Sequence, residues 1–419
     1  MKIAIVTLQL HTNYGGVLQA YALQKVLSRM GNDVEVIQLN KIVPAPKGIR
    51  AMRKFLTRAF RRYVLRHGGV EIFRERRINE EFPVIGVEFV RFFRQHINIR
   101  YISSFDEILP SDYDAFVVGS DQVWRPKYNR SLMNSYLDFT WKDRGDFGIR
   151  ALDALEHKGH HKHVKPQGWD IRRVAYAVSF GFDCWEYTKR QTALASELAG
   201  RFDALSFREV SGVKSAEEHL GVKSVSVLDP TMLLSAEDYL SLIGRREDSS
   251  HPFERIGEER FEMPMGEYVE TSVQHAGVFE YVLDRTAETE ALVAELEAGL
   301  AKPVRRFLPA SPRGREEISL RVQPSVESWI SGIAGADFVL TDSFHACVFS
   351  ILFHKSFAVI GNPDRGLSRI VWLLGQFGLG DRLVGADGIP QKDINWEKVD
   401  YKLSELKEEA FGFLNNNLM

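Results

Sequence analysis

The 419-residue chain has almost no cysteine: Cys184 and Cys347 are its only two, far apart in sequence. Such a pair builds no disulfide framework and fits a reducing compartment. An excess of one charge is also missing. Lys plus Arg number 54 and Asp plus Glu 56, for a formal net charge of -2. The whole molecule is therefore no general polyanion binder, no nucleic-acid partner is expected, and affinity for a membrane has to come from a local patch. No apolar run reaches the roughly 20 residues of a membrane span. The stretch Ile3-Ala4-Ile5-Val6 is too short for a secretory signal and has no cleavage-site pattern. A cytoplasmic location is expected, with peripheral contact at the inner face of the cell membrane as its variant. Two phosphate-binding signatures are absent as well: the Gly-x-Gly-x-x-Gly dinucleotide fingerprint and the Gly-x-x-x-x-Gly-Lys-Ser/Thr loop. Their absence argues against nicotinamide enzymes and P-loop kinases.

What remains is the composition of a globular protein, 44% hydrophobic and 26% charged. The length exceeds one ordinary core and predicts two domains, placed at 1–235 and 236–419. Residues 2–8 read as a buried strand, 17–30 as an amphipathic helix stopped by Gly31, and 33–37 as the next strand. Strand, helix, strand over this length predicts a βαβ unit and a parallel sheet. Further strands are predicted at 115–119, 174–180, 204–207 and 224–228, each ending in polar residues. In the second half, strands are expected at 278–283, 338–340 and 357–360, and helices at 289–300, 345–353, 367–377 and 403–418. Segments 142–173 and 245–277 lack periodicity and read as surface insertions.

Ligands in parallel sheets bind beyond the C-terminal strand ends, and the polar residues that follow the strands are the candidates. Thr341-Asp342-Ser343-Phe344-His345 sits at a predicted strand-to-helix turn. Ser343 or Asp342 caps the helix, whose free N–H groups and dipole suit phosphate or carboxylate. His345 in that first turn can bind an anion or deliver a proton. A capped helix with a half-buried histidine explains one such turn equally well. Arg208 follows a strand directly and offers a forked cation, with a surface pair to Glu209 as the plain alternative. Arg369, after the Gly361-Asn362-Pro363 turn, is a second candidate cation. Ser120, Asp121, Gln122 and Trp124 cluster after one strand; Asn13, Tyr14, Gly15 and Gly16 follow another, where glycine permits close approach of backbone to a ligand. Cys347 lies two residues from His345, the wrong helical spacing for a Cys–His pair. His157, His160, His161 and His163 lie in the first insertion without carboxylates at ligand spacing, so no metal is expected. Arg50, Arg53, Lys54, Arg58, Arg61 and Arg62 surround an apolar stripe of Met52, Phe55, Leu56, Ala59, Phe60 and Tyr63. This basic amphipathic helix over 50–63 is a candidate contact for anionic lipid or a pyrophosphate-linked glycan carrier; a solvated helix packing its stripe inward is the alternative.

Several segments together resemble the polysaccharide pyruvyl transferase family. They include Asn13-Tyr14-Gly15-Gly16-Val17-Leu18-Gln19-Ala20, Val118-Gly119-Ser120-Asp121-Gln122-Val123-Trp124 and Tyr176-Ala177-Val178-Ser179-Phe180-Gly181. Ser206-Phe207-Arg208-Glu209, Leu228-Asp229-Pro230-Thr231, Pro324-Ser325-Val326-Glu327-Ser328-Trp329, Thr341-Asp342-Ser343-Phe344-His345, Ser368-Arg369-Ile370 and Gly378-Leu379-Gly380-Asp381-Arg382-Leu383 continue it in order. The resemblance implies an α/β fold of two Rossmann-like domains facing a cleft, as in GT-B glycosyltransferases, with the terminal helix crossing back to the first domain. It implies phosphoenolpyruvate as donor with no cofactor, a glycan or polyprenyl-linked oligosaccharide as acceptor, and a pyruvate ketal as product. By position, Arg208 and His345 correspond to donor-associated residues and Arg369 to a second cation. Asp121, Asp342 and Asp229 are the candidate bases. The family usually has Gly then Thr after this histidine; Ala346-Cys347 stands here. A nucleotide-sugar glycosyltransferase and a catalytically silent glycan- or carrier-binding protein are the alternatives.

Overall fold

A computed structural model describes residues 1–40, 48–67, 70–129, 131–141, 169–243, 277–300, 302–312, 314–362, 366–384 and 392–418. The first domain is built on β1 (Lys2–Val6), β2 (Asp33–Leu39), β3 (Ile99–Ile102), β4 (Ala115–Asp121), β5 (Arg172–Val178), β6 (Ala204–Phe207) and β7 (Val225–Ser226). Their order is β3-β2-β1-β4-β5-β6-β7, and all pairs are parallel. The chain order reverses between β1 and β4, which opens a crevice at their C-terminal ends. β4 is buried along its whole length, as expected of a strand covered on both faces.

The second domain holds β8 (Val278–Tyr281), β9 (Val304–Arg306), β10 (Phe338–Thr341) and β11 (Ser356–Val359), in the order β11-β10-β8-β9, again parallel throughout. The architecture is thus two Rossmann-like α/β units, as the sequence implied.

One apolar cluster joins them. Helix α1 (Tyr14–Arg29) buries Val17, Leu18, Leu23, Val26 and Leu27 on the first sheet. Its first residue reaches the other domain: Tyr14 stacks on Trp329 at 5.7 Å and donates its hydroxyl proton to the Pro324 carbonyl at 2.8 Å. Fully buried aromatics of this kind cost about 3–5 kcal/mol each when truncated to alanine. The terminal helix Trp396–Leu418 returns to the first domain, where Phe413 meets Tyr176 at 6.1 Å and Lys407 donates to the Leu234 carbonyl at 3.2 Å. Among the described residues no helix is long and apolar enough to cross a membrane.

The expected strands are present, with ends shifted by a few residues. β3 and β9 were not expected; both are short edge strands carrying arginine. β5 begins inside the segment read as an insertion. Arg173 looks like a loop residue, yet its guanidinium donates to the Thr140 hydroxyl and to the carbonyls of Thr140 and Ile171, and lies 3.8 Å from the Trp141 ring centroid. Burial lowers its pKa to about 10. The other residues of that segment up to 168, with the four histidines, and residues 245–276 of the second segment lie outside the described residues.

Candidate active site

Polar residues converge where the C-terminal strand edges of the two domains meet. β4 ends in Ser120 and Asp121, β5 is followed by Ser179, β6 by Arg208 and Glu209, and the strip after β7 carries Asp229. From the second domain, β10 leads through Asp342 and Ser343 into the helix Phe344–Leu352, which brings His345, and the helix Leu367–Gln376 brings Arg369. Ser343 caps its helix by accepting from the Ala346 N–H at 3.5 Å.

Arg208 is the centre. It is 5% exposed and donates from Nη2 to Asp121 at 2.9 Å and from Nη1 to Asp229 at 3.1 Å. Its Nε stands 3.6 Å from Glu209 without a hydrogen-bond partner. The Phe344 ring from the other domain lies 4.6 Å from its guanidinium carbon. Burial disfavours the charge, but Asp121, Asp229 and Glu209 outweigh it and raise the Arg208 pKa. Arg208 is therefore a permanent cation.

The carboxylates divide by environment. Burial opposes the charge of Asp229, but His345, Arg208 and the Thr231 hydroxyl prevail and hold its pKa well below the ordinary range. Asp121 is likewise pulled down, against its burial, by Arg208, His345 and Arg369. At Glu209 burial wins and the pKa rises, although Ser179 donates to it at 2.6 Å. Two anions and one carboxyl inclined to keep its proton thus surround the guanidinium. Burial, with Arg208 nearby, lowers the Arg369 pKa to about 10, so it too remains charged at neutral pH. Its guanidinium carbon lies 5.9 Å from the Phe344 ring.

His345 is 7% exposed, and its Nε2 is 3.7 Å from Asp229 Oδ2, beyond hydrogen-bond length, with no partner. Its ring packs against α1 so closely that a Cβ on Gly15 would stand 2.0 Å from Nδ1. Glycine at position 15 is therefore required by the His345 ring of the facing domain.

Arg208, His345, Asp121, Ser120 and Arg369 come together, and Asp229 joins them. Ser120 donates to Ala177 O at 3.2 Å and approaches Asp229 at 3.3 Å. Several expectations need correction. The Asp342 carboxylate accepts the Leu283 and Asp284 N–H groups at 2.7 and 3.0 Å; it fastens the loop after β8 and so positions the turn. Trp124 is fully buried, stacked on Tyr136 at 4.3 Å, and donates to the Ser135 carbonyl; its place is the core. Tyr14 is committed to the domain contact. Gln122 accepts from Arg125 at 3.0 Å and lies beside Gly181 at the rim. Asn13 is exposed and its carbonyl opens α1 by accepting from Val17, while a Cβ on Gly16 would first meet the Asn13 side chain. Glu209, read as a surface partner of Arg208, is buried. Ser179 and the Phe344 ring were not anticipated; the polar Ser179 before Gly181 at a strand end was the available signal. Cys347 is buried, which pushes its thiol pKa up and leaves it inert.

The family model described as polysaccharide pyruvyl transferase matches residues 13–365. A search of curated proteins finds no match. Among solved structures, an alpha-glucosyltransferase in complex with UDP and a 13-mer DNA aligns at 10% identity and TM-score 0.42, over 98% of this chain and 90% of its own. UDP-GlcNAc 2-epimerase from Neisseria meningitidis aligns at 9% identity and TM-score 0.39, over 100% and 94%. MurG from Acinetobacter baumannii aligns at 10% identity and TM-score 0.34, over 98% and 94%.

Proposed function

This chain belongs to the polysaccharide pyruvyl transferase family, and from that premise we propose that it transfers the enolpyruvyl group of phosphoenolpyruvate to two hydroxyls of a sugar, forming a pyruvate ketal and releasing phosphate. The carrying observation is the buried cluster of Arg208, Asp121, Asp229 and His345 at the meeting of the two strand edges. Phosphoenolpyruvate is small and carries both a carboxylate and a phosphate. Arg208 and Arg369, two guanidiniums against the same Phe344 ring, match that charge distribution.

His345 gives a proton to the methylene carbon, forming the new methyl C–H bond and leaving the neighbouring carbon cationic. One acceptor hydroxyl adds to that carbon, and the second then displaces phosphate. Both hydroxyl protons must leave. Asp121 and Asp229 are poor destinations because their neighbouring cations hold them ionised. The oxygen freed on the departing phosphate is a far stronger base than either carboxylate and takes one proton; the other restores His345. Asp229 stabilises the imidazolium, and Asp121 balances the charge of Arg208. The acceptor is a surface polysaccharide or its lipid-linked precursor.

His345→Ala tests the assignment. Phosphate release from phosphoenolpyruvate in the presence of acceptor should vanish, while the donor still raises the melting temperature through Arg208 and Arg369. Retained turnover would overturn the role of His345.

A further inference from the structure

Helix α2 (Gly48–Tyr63) carries a surface that the proposed chemistry does not use. Ile49, Met52, Leu56, Phe60 and Tyr63 follow one another at spacings of three and four, which places them on one face. They are 75, 57, 62, 53 and 69% exposed. Val64, Leu65 and Phe73 extend the same apolar surface at 61, 49 and 61% exposure. The stripe was expected to pack inward or meet lipid: Phe55 turns onto Phe73 at 5.2 Å and Ala59 is half-buried, whereas the residues just named stay exposed. A different face anchors the helix. Lys54 and Arg58 donate to the buried Glu75 of helix α3 (Arg74–Ile85) at 2.7 and 2.6 Å, and Arg58 also donates to the Ile72 carbonyl. The exposed stripe is therefore left facing outward.

Beside it lies a cavity of about 830 Å³ whose lining includes Arg53, Arg58, Arg61, Arg74, Arg77 and Arg315. Glu71 is the one acid of that lining and is taken by Arg77 and Arg315 at 2.9 and 3.0 Å. Among the described residues no carboxylate pairs with Arg53, Arg61 or Arg74. Arg53 and Arg61 each follow an apolar stripe residue, Met52 and Phe60, so the cationic row adjoins the apolar row on the next strip of the helix. An apolar ridge beside a guanidinium pocket matches a bilayer boundary, where acyl chains meet phosphates within a few ångströms. A polyanion with no apolar phase would leave the ridge in water.

We propose that α2 docks this protein on an anionic phospholipid surface, with the Ile49–Tyr63 ridge entering the acyl boundary and the arginine cavity taking lipid phosphates. Binding does not depend on the donor chemistry, so its failure and failure of the transfer reading are separable.

The test is co-sedimentation of the full chain with vesicles of phosphatidylcholine alone or with phosphatidylglycerol added. The wild type should bind the anionic vesicles and lose binding in high salt. Leu56→Glu with Phe60→Glu removes the ridge, and Arg53→Gln with Arg61→Gln removes two cations; all four positions are on the surface, and circular dichroism verifies folding. The arginine pair should weaken binding by about 10- to 30-fold, at about 1 kcal/mol per arginine near the surface, and the ridge pair, which loses apolar burial and adds two anions, by at least as much. Absence of wild-type binding to anionic vesicles, equal binding to neutral ones, or binding indifferent to the ridge pair would overturn the proposal. So would sedimentation showing that the ridge pair dissolves a dimer of this chain.

Discussion

Replacing Gly15 with alanine is expected to disable His345 while leaving the chain folded. The new Cβ would stand 2.0 Å from His345 Nδ1, 2.4 Å from Cγ and 2.8 Å from Cβ, where ordinary contact begins near 3.4 Å. The ring must retreat by about 1.4 Å. Because the His345 Cβ is itself too close, turning the side chain is insufficient and the helix carrying it must shift. Overpacking of this kind costs about 1–3 kcal/mol, partly offset by the roughly 0.5–1 kcal/mol that alanine gains over glycine in a helix. The melting temperature should therefore fall by only a few degrees. Catalysis should suffer far more, since a misplacement of about 1 Å costs on the order of 10²-fold in rate. Gly16→Ala is the control. Its Cβ would meet the tip of the Asn13 side chain at 3.0 Å, and that exposed side chain can swing aside. Phosphate release and thermal melts measured on both variants decide the matter. A Gly15→Ala enzyme with wild-type kcat, or a Gly16→Ala enzyme equally impaired, would refute the reasoning.

Two further substitutions probe the charges around Arg208. Burial raises the Glu209 pKa, so the folded state favours the protonated carboxyl; that stabilisation is fully present below the ordinary carboxylate range and is lost as pH rises through the raised value. Glu209→Gln, neutral at every pH, should melt higher than the wild type at pH 8 with a smaller difference at pH 4.5, and a difference constant with pH would contradict this account. Asp229→Asn removes the charge 3.7 Å from His345 Nε2 and should lower kcat about 10²-fold, within the range of lost acid–base assistance. Steady-state kinetics should show the loss in kcat more than in the KM for phosphoenolpyruvate; a change confined to KM would move Asp229 to donor binding.

The fold was legible because parallel strands buried on both faces read as near-continuous apolar runs, as residues 3–6, 115–118 and 338–340 do. The missed edges β3 and β9 have no such obligation: Arg100 and Arg306 find partners at the margin, with Arg306 reaching Glu280 at 3.3 Å. At the site, Arg208 and His345 were legible because each stands just past a predicted strand. The misplacement of Asp342, Trp124 and Tyr14 has a common cause. Sequence position puts a residue at a strand end but does not say which way its side chain turns. Asp342 turns toward the N–H groups after β8, Trp124 toward the core and Tyr14 toward Trp329. The burial of Glu209 was hidden for the same reason.

The same contacts that close the two domains also build the site. Tyr14 bonds to Pro324 at the first turn of α1, and the next residue, Gly15, receives the His345 ring. On the opposite side, a Cβ on Gly366 would stand 2.4 Å from the Gly181 carbonyl, and Gly366 immediately precedes the helix that carries Arg369. Both glycines have positive φ, at 76° and 80°, so the two loops meet backbone to backbone where a side chain would be strained as well as crowded. Phe344 completes the closure by placing its ring against Arg208 of the first domain. Neither domain alone has both the guanidinium with its carboxylates and the imidazole. Any opening of the cleft separates His345 from Asp229 and Phe344 from Arg208 together. The contact between the domains and the assembled charged cluster therefore depend on each other, and substitutions at the contacts of Tyr14 and Gly366 should act on turnover without touching a reacting atom.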